Sequence, residues 1–118
     1  MKLKFFDLAK KLSTRSDHRH KLGAVIVRKN RIISFGWNET KTHSKSNHPW
    51  KALHAETSAI IYANPKELIG SEIYIYRELK DGTPADSRPC EFCMKLIRQV
   101  GIETIYFSKD GNYWEKEL

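Results

Sequence analysis

The chain has 118 residues, with 21 Lys+Arg against 14 Asp+Glu for a formal net charge of +7, and it is 40% hydrophobic and 30% charged. This is globular composition, enough for one domain over 1–118 that buries about two-thirds of its unfolded surface and too little for a second core. It excludes wholesale disorder, and no stretch approaches the roughly 18 consecutive apolar residues of a membrane span. The first dozen residues carry Asp7, Lys10 and Lys11, so a signal peptide's apolar stretch is missing. Cys90 and Cys93 cannot build a disulfide framework; their spacing reads as metal ligation or redox chemistry in a reducing compartment. The expectation is a cytoplasmic protein with no membrane partner. The basic balance points to phosphate-bearing partners, or to nothing more than a lysine-rich surface.

Leu3 to Leu12 carries apolar residues at 5, 6, 8, 9 and 12, a short amphipathic helix. Ser13 to Lys21 is polar and basic. Leu22 to Val27 and Ile32 to Trp37 are strands joined through Arg28-Lys29-Asn30-Arg31, where Asn tolerates the left-handed angles of a tight hairpin. Asn38 to Leu53 is a long polar loop, of the length usually kept for function. A helix begins at His54 and is stopped by Asn64-Pro65. Glu72 to Arg77 is a buried strand, and Lys80 to Pro89 a loop rich in Gly, Pro and Asp. Cys90 to Val100 is a helix ended by Gly101, Ile102 to Phe107 a fourth strand, and Asn112 to Glu117 a short strand returning after Asp110-Gly111. Helices alternating with strands after an opening hairpin predict a three-layer α/β/α sandwich with a mixed sheet of four or five strands.

Three elements carry chemistry: Gly36-Trp37-Asn38 leaving the second strand, His54-Ala55-Glu56 opening the second helix, and Pro89-Cys90-Glu91-Phe92-Cys93 opening the third. Alone, His-x-Glu says little, and Cys-x-x-Cys fits a redox pair, half a zinc ribbon or two core cysteines. Together, one His and two Cys suit zinc, and three protein ligands with an open fourth position describe a catalytic zinc that lowers the pKa of its water toward 7. Helix N-termini favour thiolate over thiol. Glu56, two positions past His54, can reach over the metal without being a ligand and move a proton.

His54-x-Glu56 followed by Pro89-Cys90-x-x-Cys93 resembles the signature of the zinc-dependent cytidine/deoxycytidylate deaminase superfamily. Leu22 to Val27 with Arg31 to Asn38, and Cys93 to Ile97 through Gly101-Ile102, resemble its first two strands and its third helix, so the likeness spans roughly 5 to 108. The resemblance implies His54, Cys90 and Cys93 as ligands of Zn2+ and Glu56 as proton shuttle. It also implies hydrolytic deamination at C4 of a cytosine ring, or C6 of an adenine, with loss of ammonia. Asn38 would hydrogen-bond the sugar, the Ala55 N–H would meet the base carbonyl, and Trp37 with the Trp50 loop would wall the base. The first substrate expected is dCMP, giving dUMP; the alternative is a single-stranded DNA or a tRNA loop. A homo-oligomer is expected, because small deaminases of this kind complete their sites across interfaces.

Two departures bear on the substrate. Glu39 follows Asn38 where nucleotide deaminases continue with Gly, adding negative charge close to the expected nucleotide. The Asp110-Gly111 turn predicts an antiparallel last strand, as in free-nucleoside deaminases. After the minimal core almost nothing remains for a polymer-binding domain. His43 and His48 in the long loop offer a second-metal or a solvated reading, and His18-x-His20 reads first as surface. Arg15, Arg19 and Lys21 could meet a phosphate or simply be solvated, and Tyr113 and Trp114 are expected on the sheet edge or an interface.

Overall fold

The computed structural model describes residues 2–16, 20–39, 54–79 and 81–118. Helix α1 (Leu3–Ser13) buries Phe5, Phe6, Ala9 and Leu12, the three- and four-residue spacing of one helical face. Strands β1 (Leu22–Arg28) and β2 (Arg31–Trp37) form a hairpin closed by Arg28 opposite Arg31. Lys29 and Asn30 at its tip have φ of 51° and 63°, the left-handed pair that lets a two-residue turn match strand twist. Then follow α2 (Ala55–Ile61), a single turn α3 (Pro65–Leu68), β3 (Glu72–Arg77), α4 (Glu91–Gln99), β4 (Thr104–Lys109) and β5 (Asn112–Glu117).

The sheet order is β2-β1-β3-β4-β5. Among the described strands, β3 and β4 run parallel, with α4 as their crossover, and the other neighbours are antiparallel. Alternation along β3 separates two cores. Ile73 and Ile75 join Ile26, Ile97 and Ile105 under α2 and α4, while Tyr74 and Tyr76 join Phe5, Phe6 and Tyr106 under α1. These are the three layers and mixed sheet expected from the sequence, now with five strands. The last strand returns antiparallel through Asp110 and Gly111, both at positive φ.

One element was not anticipated. Asn64-Pro65 ends the preceding helical segment and also starts α3: the Asn64 side chain accepts the Lys66 N–H at 3.1 Å and proline occupies the first turn.

Leu22 lies opposite Arg77 and Gly23 opposite Trp37, so the start of β1 and the ends of β2 and β3 share one edge of the fold. Helix α2 lies almost against β2. A Cβ at Gly36 would stand 2.7 Å from Ala59 N and 2.9 Å from Ala55 O, and the Ser34 hydroxyl donates to Ala59 O at 2.6 Å. Glycine at 36 therefore seats the helix that carries His54 and Glu56.

Candidate active site

His54 and Cys90 are the N-caps of α2 and α4, so both stand at positive helix ends that pack side by side. His54 Nδ1 lies 3.3 Å from Cys93 Sγ and 3.8 Å from Cys90 Sγ, and the three donor atoms fall within 4.8 Å of one another. Donors at zinc bond lengths of about 2.0 and 2.3 Å in a tetrahedron stand roughly 3.6 to 3.8 Å apart, so the set fits zinc. No fourth His, Cys or carboxylate joins the group among the described residues, which leaves one tetrahedral position open. The Cys93 N–H donates to Cys90 Sγ at 3.5 Å, supporting a thiolate at the helix cap. Cys93 is fully buried beside the Thr57 hydroxyl, 3.7 Å away. Burial, followed by the Glu56 and Cys90 charges, pushes its thiol up from the ordinary range; a dication between the ligands reverses that preference.

Glu56 is buried on the first turn of α2, with burial pushing its carboxyl up to about 7 against the lowering effect of a hydrogen bond with Cys93. It faces a cavity of about 210 Å³ together with His54, Cys90, Ala55 and Asn38. Asn38 is buried and held by its neighbours: Oδ1 accepts the Leu22 N–H at 2.8 Å, Nδ2 donates to His20 O, and its own carbonyl accepts the Ser16 hydroxyl at 2.7 Å.

Trp37 does not join this group. Strand alternation turns Gly36 toward α2 and Trp37 to the opposite face, where it packs with the α1 cluster and lies 5.3 Å from the Arg15 guanidinium carbon. Glu39, expected near the nucleotide, lines a separate hollow with Ser58 and Tyr62 between β2 and α2. His18, Arg19, His43, His48 and Trp50 lie outside the described residues. Two cavity residues went unread in the sequence: His20, set aside as surface, and Arg88, one residue before the Pro-Cys pair.

Fold and donor set describe a three-layer α/β protein in which, among the described residues, His54, Cys90 and Cys93 form a group suited to zinc. The family model for the cytidine and deoxycytidylate deaminase zinc-binding region matches residues 1–109, and the chain belongs to that family. It is 28% identical to the deoxycytidylate deaminase of Mycobacterium phage D29, over 91% of this chain and 93% of that one. Among solved structures, the dCMP deaminase of cyanophage S-TIM5 in apo form superposes with a TM-score of 0.67 at 27% identity, covering 94% of this chain and 89% of that one. The same phage enzyme in complex with dCMP and dUMP gives 0.62 at 25% identity, covering 89% and 81%. No helix among the described residues is long and apolar enough to cross a membrane.

Proposed function

We propose that this protein hydrolyses the exocyclic amine of a cytosine nucleotide, converting dCMP to dUMP with release of ammonia. The observation that carries the reading is a buried carboxyl, Glu56, sharing one small cavity with a three-donor zinc site. The relatives named for dCMP, one of them solved with dCMP and dUMP, support the choice of substrate.

His54, Cys90 and Cys93 would hold the metal. When bound, zinc supplies Lewis acidity and a water whose pKa falls toward 7. Glu56 would take a proton from the attacking water at its carboxylate and pass it to the ring nitrogen. It would then take the remaining hydroxyl proton of the C4 adduct and deliver it to the amine as the C4–N bond breaks and the C4 carbonyl forms; a carboxyl near neutrality suits both directions. The Ala55 N–H, in the unpaired first turn of α2, is available to the base carbonyl. Asn38 keeps one donor and one acceptor beyond its backbone bonds, enough for a sugar hydroxyl. Trp37 takes no part. A cytoplasmic setting would keep both thiols reduced. The reading includes one deaminase domain over the chain and a homo-oligomer, to be checked by sedimentation.

Ammonia release from deoxycytidine, cytidine, their monophosphates and a single-stranded oligonucleotide, measured on zinc-loaded protein, tests the reaction. Inactivity on every one would sink it, and activity confined to the oligonucleotide would select the polynucleotide reading. Glu56→Gln is expected to lower kcat by at least about a hundredfold while zinc stoichiometry is retained; unchanged turnover would remove the proton-shuttle role.

A further inference from the structure

The two cysteines of the site are held by different means. Cys90 caps α4 at the surface, and its sulfur accepts the Cys93 N–H. Cys93 lies one turn further into α4 and is fully buried, and among the described residues no backbone N–H reaches its sulfur. A sulfur that bears charge out of water needs a donor from elsewhere, because burial opposes the thiolate that binds metal. Besides its fellow ligand His54, two side chains of α2 stand beside it. Glu56 is one, and as a carboxylate it brings the sulfur only negative charge. Thr57 is the other, its Oγ1 3.7 Å from Cys93 Sγ.

That contact is not the usual one for a threonine in a helix. Such a hydroxyl commonly turns back on a carbonyl three or four residues earlier, whereas this one crosses to α4, 36 residues along the chain. Thr57 is buried, and among the described residues its hydroxyl has Cys93 as its partner. The hydroxyl has one proton to give. A cysteine that ligates metal has none, so the metal-loaded site fixes the direction of the bond: Thr57 donates and Cys93 Sγ accepts.

We propose that Thr57 is a positioning residue of the metal centre, whose hydroxyl stabilises the buried Cys93 thiolate and tempers its electron donation to the metal. The proposal rests on the zinc-dependent reading of the site and adds to it a residue that touches neither the ion nor the substrate. Less charge pushed from sulfur onto the ion leaves it the stronger Lewis acid.

Zinc competition against a chromophoric chelator, and the sulfur-to-metal charge-transfer band of cobalt(II)-loaded protein, test this without turnover. Thr57→Val keeps the side chain's shape and removes its donor, and Thr57→Ser puts the donor back. Thr57→Val is expected to bind Zn2+ about 10- to 100-fold more weakly. Its cobalt band should move to longer wavelength, because a sulfur that loses a hydrogen bond gives up its electrons more readily. Thr57→Ser returns both readings toward those of the unaltered protein, and Thr57→Ala, which drops the methyl as well, shows the same band shift as valine. Ser34→Ala removes another buried hydroxyl bonded to α2; it lowers Tm and leaves the band in place. An unmoved band in Thr57→Val and Thr57→Ala overturns the proposal whatever the affinity does, since packing alone would then explain the residue. Unchanged zinc affinity overturns it too, as does a band that moves equally in Ser34→Ala. Ammonia release from dCMP with a band indifferent to Thr57 strikes this role alone. The expected band and affinity without ammonia release strike the deaminase reading alone.

Discussion

Glu56 holds its proton in the folded, metal-free chain up to a pH of about 7, against 4.5 for an ordinary glutamate. Between those values the native state binds more protons than the unfolded chain, so stability must fall as pH rises through the window. The full difference amounts to about 3 kcal/mol. Denaturant melts of chelated protein at pH 4.5 and 7.5 should show that decline, and Glu56→Gln should flatten it. Zinc beside the carboxyl favours the charged form and should flatten it as well. The residues that make this site were legible because His54 and Cys90 sit where helices begin, and helix starts are written in local sequence. Trp37 lies away from the described cavity for an equally local reason. It neighbours Asn38 in the chain, but period-two alternation sends it to the α1 face. His20 and Arg88 carry no periodic signal; the contact between Arg77 and His20 joins positions 57 residues apart, which no window of sequence contains.

At the level of elements, α2 is seven residues long, and all but its last are buried. It places Ala55, Ala59 and Ile60 in the core and brings its backbone close against β2. Gly36→Ala would drive a methyl into the Ala59 and Ala55 backbone, with an expected cost of about 1 to 3 kcal/mol and a lower Tm. Because the displaced helix carries His54 and Glu56, zinc affinity should fall with it; retained affinity would show that α2 re-seats freely. Ser108 is a second fixed point. Its hydroxyl donates to Ala85 O at 2.7 Å and meets the Ser87 hydroxyl at 2.9 Å, and it is fully buried. Ser108→Ala should cost about 1 to 3 kcal/mol by orphaning its partners, read in urea melts. The strands and long helices were legible from periodicity and turn chemistry. The α3 turn was not, since Asn-Pro serves equally as the end of one helix and the cap of the next.

Across the whole molecule, the sheet brings residues 22, 38, 77 and the helix starts at 54 and 90 to one edge, although they are spread over most of the chain. A zinc bound there ties α2 to α4 and acts as a crosslink of the native state alone. Each tenfold rise in free zinc above its Kd should add about 1.4 kcal/mol, so calorimetric Tm should climb with zinc and drop on chelation. The antiparallel return of β5 has a different consequence, at the sheet margins. β5 shows solvent a run of Glu115, Lys116 and Glu117, mixed charge that opposes strand addition, while β2 at the far margin exposes Ile32 and Phe35. Among the described residues, the charged margin discourages a new neighbour and the apolar one does not. Two copies meeting edge to edge through β2 would use up the receptive margin of both, and association along the strands would stop at a closed pair instead of growing into a fibre.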